Sequence, residues 1–145
     1  RWKRVTGVQT CALPIFSVWD HIEHNAFAQT VTDALASEFA HDPPRFMART
    51  PHGYHDLSII ARDLANGGWR NGAQFDTLTY RSRAASARDV AIAYCQGTPL
   101  RNEIEARAAQ RLQQVTERAA AAIAQRFGSG PVDGKIQAHV VTITH

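Results

Sequence analysis

Apolar residues recur along this chain at two spacings, and the changes of spacing mark its elements. Phe27, Val31, Leu35 and Phe39 step by four, the interval that returns a side chain to one helical face. Asn25 stands before this stripe as an N-cap, and Asp42-Pro43-Pro44 ends it. Leu57, Ile60, Ala61 and Leu64 predict a second, shorter helix from about Asp56 to Asn66, stopped by Gly67-Gly68. Ser86 caps a third short helix, SARDVAIAYCQ, which halts at Gly97-Thr98-Pro99. Leu100, Ile104, Ala108, Leu112, Val115, Ala119, Ile123 and Phe127 step by four or three throughout, which predicts one long helix over 100–127. Glu103 and Arg107 form an i,i+4 pair on its polar face. Between these stripes lie strand-like runs rich in β-branched and aromatic residues. They are FSVW at 16–19, AQFDTLTYRSR at 73–83 and GKIQAHVVTITH at 134–145. RFMARTPHGYH at 45–55 reads as a loop. The order β-α-α-β-α-α-β predicts a helix-covered sheet, an α/β fold.

Length and composition change this picture at one end only. At 145 residues and 44% hydrophobic content the chain fits one globular domain. It holds no run of roughly 18 apolar residues, the length needed to cross a bilayer as a helix. The first fifteen residues, RWKRVTGVQTCALPI, follow neither period, and VTGVQTCALPI resembles the translated read-through of a sequencing-library adapter. Residues 1–15 are therefore expected to be a non-native segment, set apart from fold reasoning. The formal net charge of +3 rests on it, because Arg1, Lys3 and Arg4 precede any acid. Without them 13 basic residues face 13 acidic ones, no basic stripe remains to neutralise phosphates, and no nucleic-acid partner is expected. Cys11 lies in the suspect segment, and Cys95, in the apolar phrase AIAYC, reads as a buried structural thiol. One remaining cysteine fits a reducing, cytoplasmic setting.

SVWDHIEHNAFAQTVTDAL followed by PPRFMARTPHGYHDLSIIARDLANGGW resembles the C-terminal half of class I S-adenosylmethionine-dependent methyltransferases. The similarity is to the bacterial small-molecule type related to the ubiquinone and menaquinone enzymes. AIAYCQGTPLRNEIEAR and the terminal VDGKIQAHVVT extend it over residues 16–145. The resemblance implies an incomplete Rossmann-like methyltransferase sheet with covering helices. FSVW, AQFDTLTYRSR and GKIQAHVVTITH would be strands five, six and seven, the last lying antiparallel between the other two. The helices at about 86–127 would be an insertion. The family binds its methyl donor with a Gly-rich loop after strand one and an acid at the end of strand two, and this sequence has no such loop. The resemblance thus implies a fragment, inactive alone, whose intact enzyme uses S-adenosylmethionine while the fragment binds none.

Several residues carry candidate chemistry. Ligands of open α/β sheets bind beyond the carboxyl ends of strands, which draws attention to Trp19, Asp20, His21 and His24. His21 and His24 are the candidates for a base, if the accepting atom needs one. Trp19, Asn25, Phe46, Tyr54 and His55 are the candidates for binding a small-molecule methyl acceptor, and Arg101 and Asn102 could face it too. The bland alternatives are solvated helix-entry residues for the histidines and ordinary packing for Phe46 and Tyr54. His52, His55 and Asp56 match no zinc-ligand spacing, and no metal is expected. The stripe over 100–127 is core or lid packing, with a homodimer seam as its alternative. The rival to the methyltransferase reading is a small non-catalytic α/β binding or dimerisation domain.

Overall fold

The computed structural model describes residues 15–69 and 72–143. Three strands, β1 (Ile15–Trp19), β2 (Ala73–Ala84) and β3 (Val132–Ile143), form a sheet of order β1-β3-β2. β3 is antiparallel to both neighbours, so β1 and β2 run parallel with the last strand between them. Six helices accompany them among the described residues: α1 (Ala26–Glu38), α2 (Phe46–Arg49), α3 (Leu57–Asn66), α4 (Ala87–Cys95), α5 (Leu100–Ala108) and α6 (Leu112–Phe127). The α/β class is as the spacing predicted. β1 begins at Ile15, inside the stretch expected to be foreign, and Ile15 pairs with Thr142. Residues 1–14, Cys11 among them, and Thr144-His145 of the expected last strand lie outside the described residues.

Two apolar clusters hold the fold. Alternate β3 residues point to opposite faces of the sheet. On one face Val141 and Ile143 pack with Ile60 of α3, flanked by Phe16, Val18, Leu57, Leu64 and Phe75. On the other face Val132 joins the larger cluster of α1, α4, α5 and α6, built around Phe27, Val31, Leu35, Leu100, Ile104, Val115 and Ile123. Cys95 belongs to this cluster, and burial pushes its thiol up to about 11. Gly134 lies beside Phe27, where a Cβ would stand 2.9 Å from a ring carbon. Phe27 is itself pinned edge-on against Phe127, ring centroids 5.0 Å apart.

Helix ends follow local chemistry where the sequence supplies it. Asp56 accepts from the Ser58 and Ile59 amides, and Ser86 from the Asp89 amide. α3 closes in a Schellman turn, with Gly68 at φ 99°, its amide on the Ala65 carbonyl, and the Trp69 amide on the Leu64 carbonyl. The long helix expected over 100–127 is instead broken. Ala108 adopts φ −163°, and a 3-10 turn at Ala109–Arg111 separates α5 from α6. A straight helix of that length would run about 42 Å, well past so small a core. The break forfeits a few backbone hydrogen bonds worth about 1 kcal/mol each. It lets both halves of the stripe reach one cluster, and each buried Leu or Ile contributes about 1.5–3 kcal/mol. Arg107 fixes the bend by donating to the Asp42 carbonyl and carboxylate, and Arg111 by donating to Glu38.

The loop expected at 45–55 contains α2, whose first turn is capped from far away. The Glu103 carboxylate accepts from the Arg45 and Phe46 amides at 2.8 and 3.1 Å and pairs with the Arg49 guanidinium. None of the described helices is long and apolar enough to cross a membrane. Gly134→Val should lower stability by about 1–3 kcal/mol, the usual cost of overpacking, read as a shift of the urea midpoint. An unchanged midpoint would show that Phe27 yields freely.

Candidate functional site

β1 ends in a polar clasp. Asp20 is buried, and its amide donates to the Gln137 carbonyl at 3.1 Å. Its carboxylate accepts from the His21 amide at 2.6 Å, from His139 Nε2 at 3.1 Å and from the Gln137 side-chain amide. Burial pushes this carboxyl up, but those three donors outweigh it and hold the group below its ordinary 3.8. The other nitrogen of His139 meets the Thr77 hydroxyl at 2.9 Å, so a hydroxyl–imidazole–carboxylate chain runs from β2 across β3 to the residue just past β1. Register puts Thr77 and His139 level with Val18, on the sheet face opposite Trp19.

Asn25 closes the clasp. It stands where the sequence placed an N-cap, but its side chain makes no cap bond to α1. Its amide donates to the carbonyls of Asp20, His21 and Gln137 at 3.2–3.3 Å, and its Oδ1 accepts from the Gln137 amide at 3.1 Å. At 2% exposure Asn25 is a buried tie between the segment after β1 and the middle of β3.

Beside the clasp lies a cleft of about 300 Å³, lined by Trp19, Asn25, Met47, Pro51, His52, Tyr94, Thr98 and Ile136. A second hollow of about 330 Å³ shares Trp19 and Pro51 and adds Tyr54 and Thr50. Trp19, the last residue of β1 and 43% exposed, therefore borders both concavities. His52 is brought there by the end of α2, where its amide donates to the Met47 carbonyl, and by its own Nδ1, 2.8 Å from the Asp20 carbonyl. The ring lies 6.1 Å from Trp19, tilted 45°. Burial pulls the His52 pKa below its ordinary 6.5, opposed by the Asp20 carbonyl and reinforced by charge on His21 and His55. Burial also pushes the Tyr94 phenol up. The Thr98 hydroxyl is engaged, donating to the Tyr94 carbonyl and accepting from the Leu100 amide.

The structure brings together some of the residues singled out from sequence. Trp19 and Asn25 line the cleft, though Asn25 has its amide protons committed to the clasp. Tyr54 lines the neighbouring hollow and donates its hydroxyl to Asp63 at 3.0 Å. His55 directs Nδ1 at the His52 carbonyl, and its ring meets His21 edge-on at 4.7 Å. His24 is exposed at the end of the 3-10 turn Ile22–His24, away from the lining. Phe46 packs against the larger core, and its neighbour Met47 takes the place in the cleft. Arg101 is exposed and paired with Glu105 at 2.7 Å, while Thr98 reaches the lining instead. His52, Tyr94, Ile136, Gln137 and His139 were missed as parts of this site. HGYH gave a local hint at His52, but no spacing announces that its partner is the backbone of Asp20. No cluster of three or more metal-ligating side chains exists among the described residues.

No protein-family model matches the chain, and no curated protein sequence matches it.

Two stability predictions test the clasp. Asn25→Ala strands buried partners and should cost about 1–3 kcal/mol. Asn25→Asp should cost more, because a carboxylate would face three carbonyl oxygens. Equal urea midpoints for the two variants would deny Asn25 its donor role. Asp20, with a folded-state pKa below 3.8, contributes stability that is complete above that value and lost as pH falls through the lowered one. The Asp20→Asn protein should be less stable at neutral pH and show a flatter acid limb in urea midpoint against pH. Parallel acid limbs in the two proteins would mean that the carboxylate is not held this way.

Proposed function

We propose that this chain forms the acceptor side of an S-adenosylmethionine-dependent methyltransferase acting on a small molecule in the cytoplasm. One observation carries the reading: the last strand, β3, lies antiparallel between two strands that run parallel to each other. That is the arrangement the methyltransferase resemblance implies for strands five, seven and six. The cleft at the carboxyl end of β1 supports it, since ligands of open α/β sheets bind there. Trp19, Met47, Pro51 and Ile136 give the acceptor an apolar seat, and holding an acceptor in line with its donor supplies much of the rate of methyl transfer.

The reading assigns donor binding to a part of the methyltransferase other than these 145 residues. Neither β1 nor β2 is followed by a Gly-rich loop: DHIEHN leads from β1 to α1, and only Ala85-Ser86 separates β2 from α4. Calorimetry of the 145-residue chain with S-adenosylmethionine should therefore show no binding. A stoichiometric complex of micromolar or better affinity would overturn the division of labour. Sequencing of the source DNA upstream of the Phe16 codon tests the same reading. The frame should continue into a strand, a Gly-rich loop and an acid one strand later, and a start codon directly before Arg1 would sink it.

A second reading, a non-catalytic binding or dimerisation domain, is favoured by one observation. Ile15, Trp19, Leu78 and Tyr80 share a sheet face and are exposed, Tyr80 at 64%. The stripe over 100–127 is not the seam, because Leu100, Ile104, Val115, Ala119 and Ile123 are buried in the chain's own core. Sedimentation that shows self-association abolished by Tyr80→Lys would favour this second reading. A monomer at all concentrations would remove the dimer from it.

A further inference from the structure

His52 lines the cleft, and its backbone contact defines which nitrogen carries the proton. A carbonyl oxygen only accepts, so the 2.8 Å contact between Nδ1 and the Asp20 carbonyl places the proton of the neutral ring on Nδ1. Nε2 is then a lone-pair acceptor. It has no hydrogen-bond partner among the described residues, and it is not among their sealed, unpaired polar atoms. Nε2 therefore keeps a narrow contact with solvent, and His52, 4% exposed, is one of the residues lining the cleft. Turning the ring over would break the bond to Asp20, whose strand-end position is fixed by Asn25 and Gln137. The other polar groups of the lining are committed. Asn25 serves the clasp and Thr98 its own helix entry, which leaves the Tyr94 hydroxyl and the Trp19 indole N–H, a donor that cannot accept, as the other polar tips of the lining. The titratable groups around the ring are Asp20, His21 and His55, and the Asp20 carboxylate is turned to His139 and Gln137.

We propose that Nε2 of His52 is the acceptor by which this cleft recognises a neutral, hydroxyl-bearing ligand whose apolar body rests against Trp19, Met47 and Ile136. The inference rests on the acceptor-cleft reading and moves the role of base from His21 and His24 to His52. In the proton step the ligand O–H bond breaks, its electron pair stays on oxygen, and the proton forms the Nε2–H bond. The resulting imidazolium keeps its Nδ1–H on the Asp20 carbonyl. The clasp is thus a positioning device: Asp20 and Asn25 fix the tautomer and orientation of a ring that they do not share with the ligand.

The test uses the ¹⁵N-labelled full chain with phenol and anisole, two probes of one ring that differ in the hydroxyl proton. Long-range imidazole spectra at pH 7.5 should show His52 protonated at Nδ1 and bare at Nε2. Phenol should move the Nε2 signal and bind at least tenfold more tightly than anisole. His52→Asn keeps a donor near the Nδ1 position and removes the acceptor, so its phenol affinity should fall to the anisole level. An Nε2-protonated ring, equal affinities for the two probes, or full phenol affinity in a folded His52→Asn chain would each overturn the proposal. If that variant fails to fold, the tautomer and the phenol-to-anisole ratio of the unsubstituted chain decide alone. Trp19 and Ile136 signals that move equally with both probes would remove the role of His52 and leave the cleft as a ligand seat. Signals that move with neither probe would remove the cleft, and the acceptor-side reading with it.

Discussion

The end of β1 is held to β3 by hydrogen bonds from Asp20 and Asn25 to one residue, Gln137. Asp20 and Asn25 approach β3 from one side, and Gln137 offers its amide, carbonyl and side chain in return. Buried bonds of this kind add little net stability each, but leaving one partner unmatched costs the full desolvation of the other. The clasp is therefore all or nothing. Once it forms, it fixes the exit of the chain from the sheet, the start of α1 and the position of the Asp20 carbonyl. That carbonyl in turn fixes His52, thirty-two residues later in sequence, and the wall of the cleft follows.

The larger core reaches the same place from the opposite direction. α1 lies across β3 at Gly134, where the absence of a side chain lets Phe27 sit close. The bend between α5 and α6 returns Leu100 and Ile104 to this cluster, and so holds the end of α4, with Tyr94 and Thr98, over Trp19. Glu103 on the same bent helix caps α2 and thereby delivers Met47, Pro51 and His52. Each wall of the cleft is thus set by a contact between elements distant in sequence.

That dependence explains what could and could not be seen in the sequence. Period and punctuation are local, so α3 with its Asp56 cap and Gly68 stop, α4 with Ser86, and the three strands were legible to within a residue or two. The helix over 100–127 was not, because its stripe keeps step across the break and the length of the core against which it packs is a tertiary fact. α2 was hidden for the same reason, its cap being Glu103. Asn25 looked like a cap because Asn before an apolar stripe often is one, yet three carbonyls, two just past β1 and one on β3, compete for its amide and win. Trp19 was legible from its place at a strand end. His52 and His139 were not, since the groups that give them meaning are a backbone carbonyl and a carboxylate supplied by another strand.

The sheet itself suggests why the cleft stays open. One face is covered by α3 along Phe16, Val18, Val141 and Phe75. Among the described residues the other is covered where Val132 and Gly134 meet the larger core, and beyond Ile136 it carries exposed Leu78 and Tyr80. Trp19 stands at that boundary. A large aromatic ring left 43% exposed there forgoes part of the transfer free energy that full burial would bring. In a chain that buries Phe27, Leu35 and Ile123 almost completely, an open Trp beside the proposed imidazole acceptor is where both proposals seat a partner. Both readings of the protein, an acceptor seat and an association face, begin from that unfinished boundary. They part on whether the completing partner must bring a hydroxyl proton to His52.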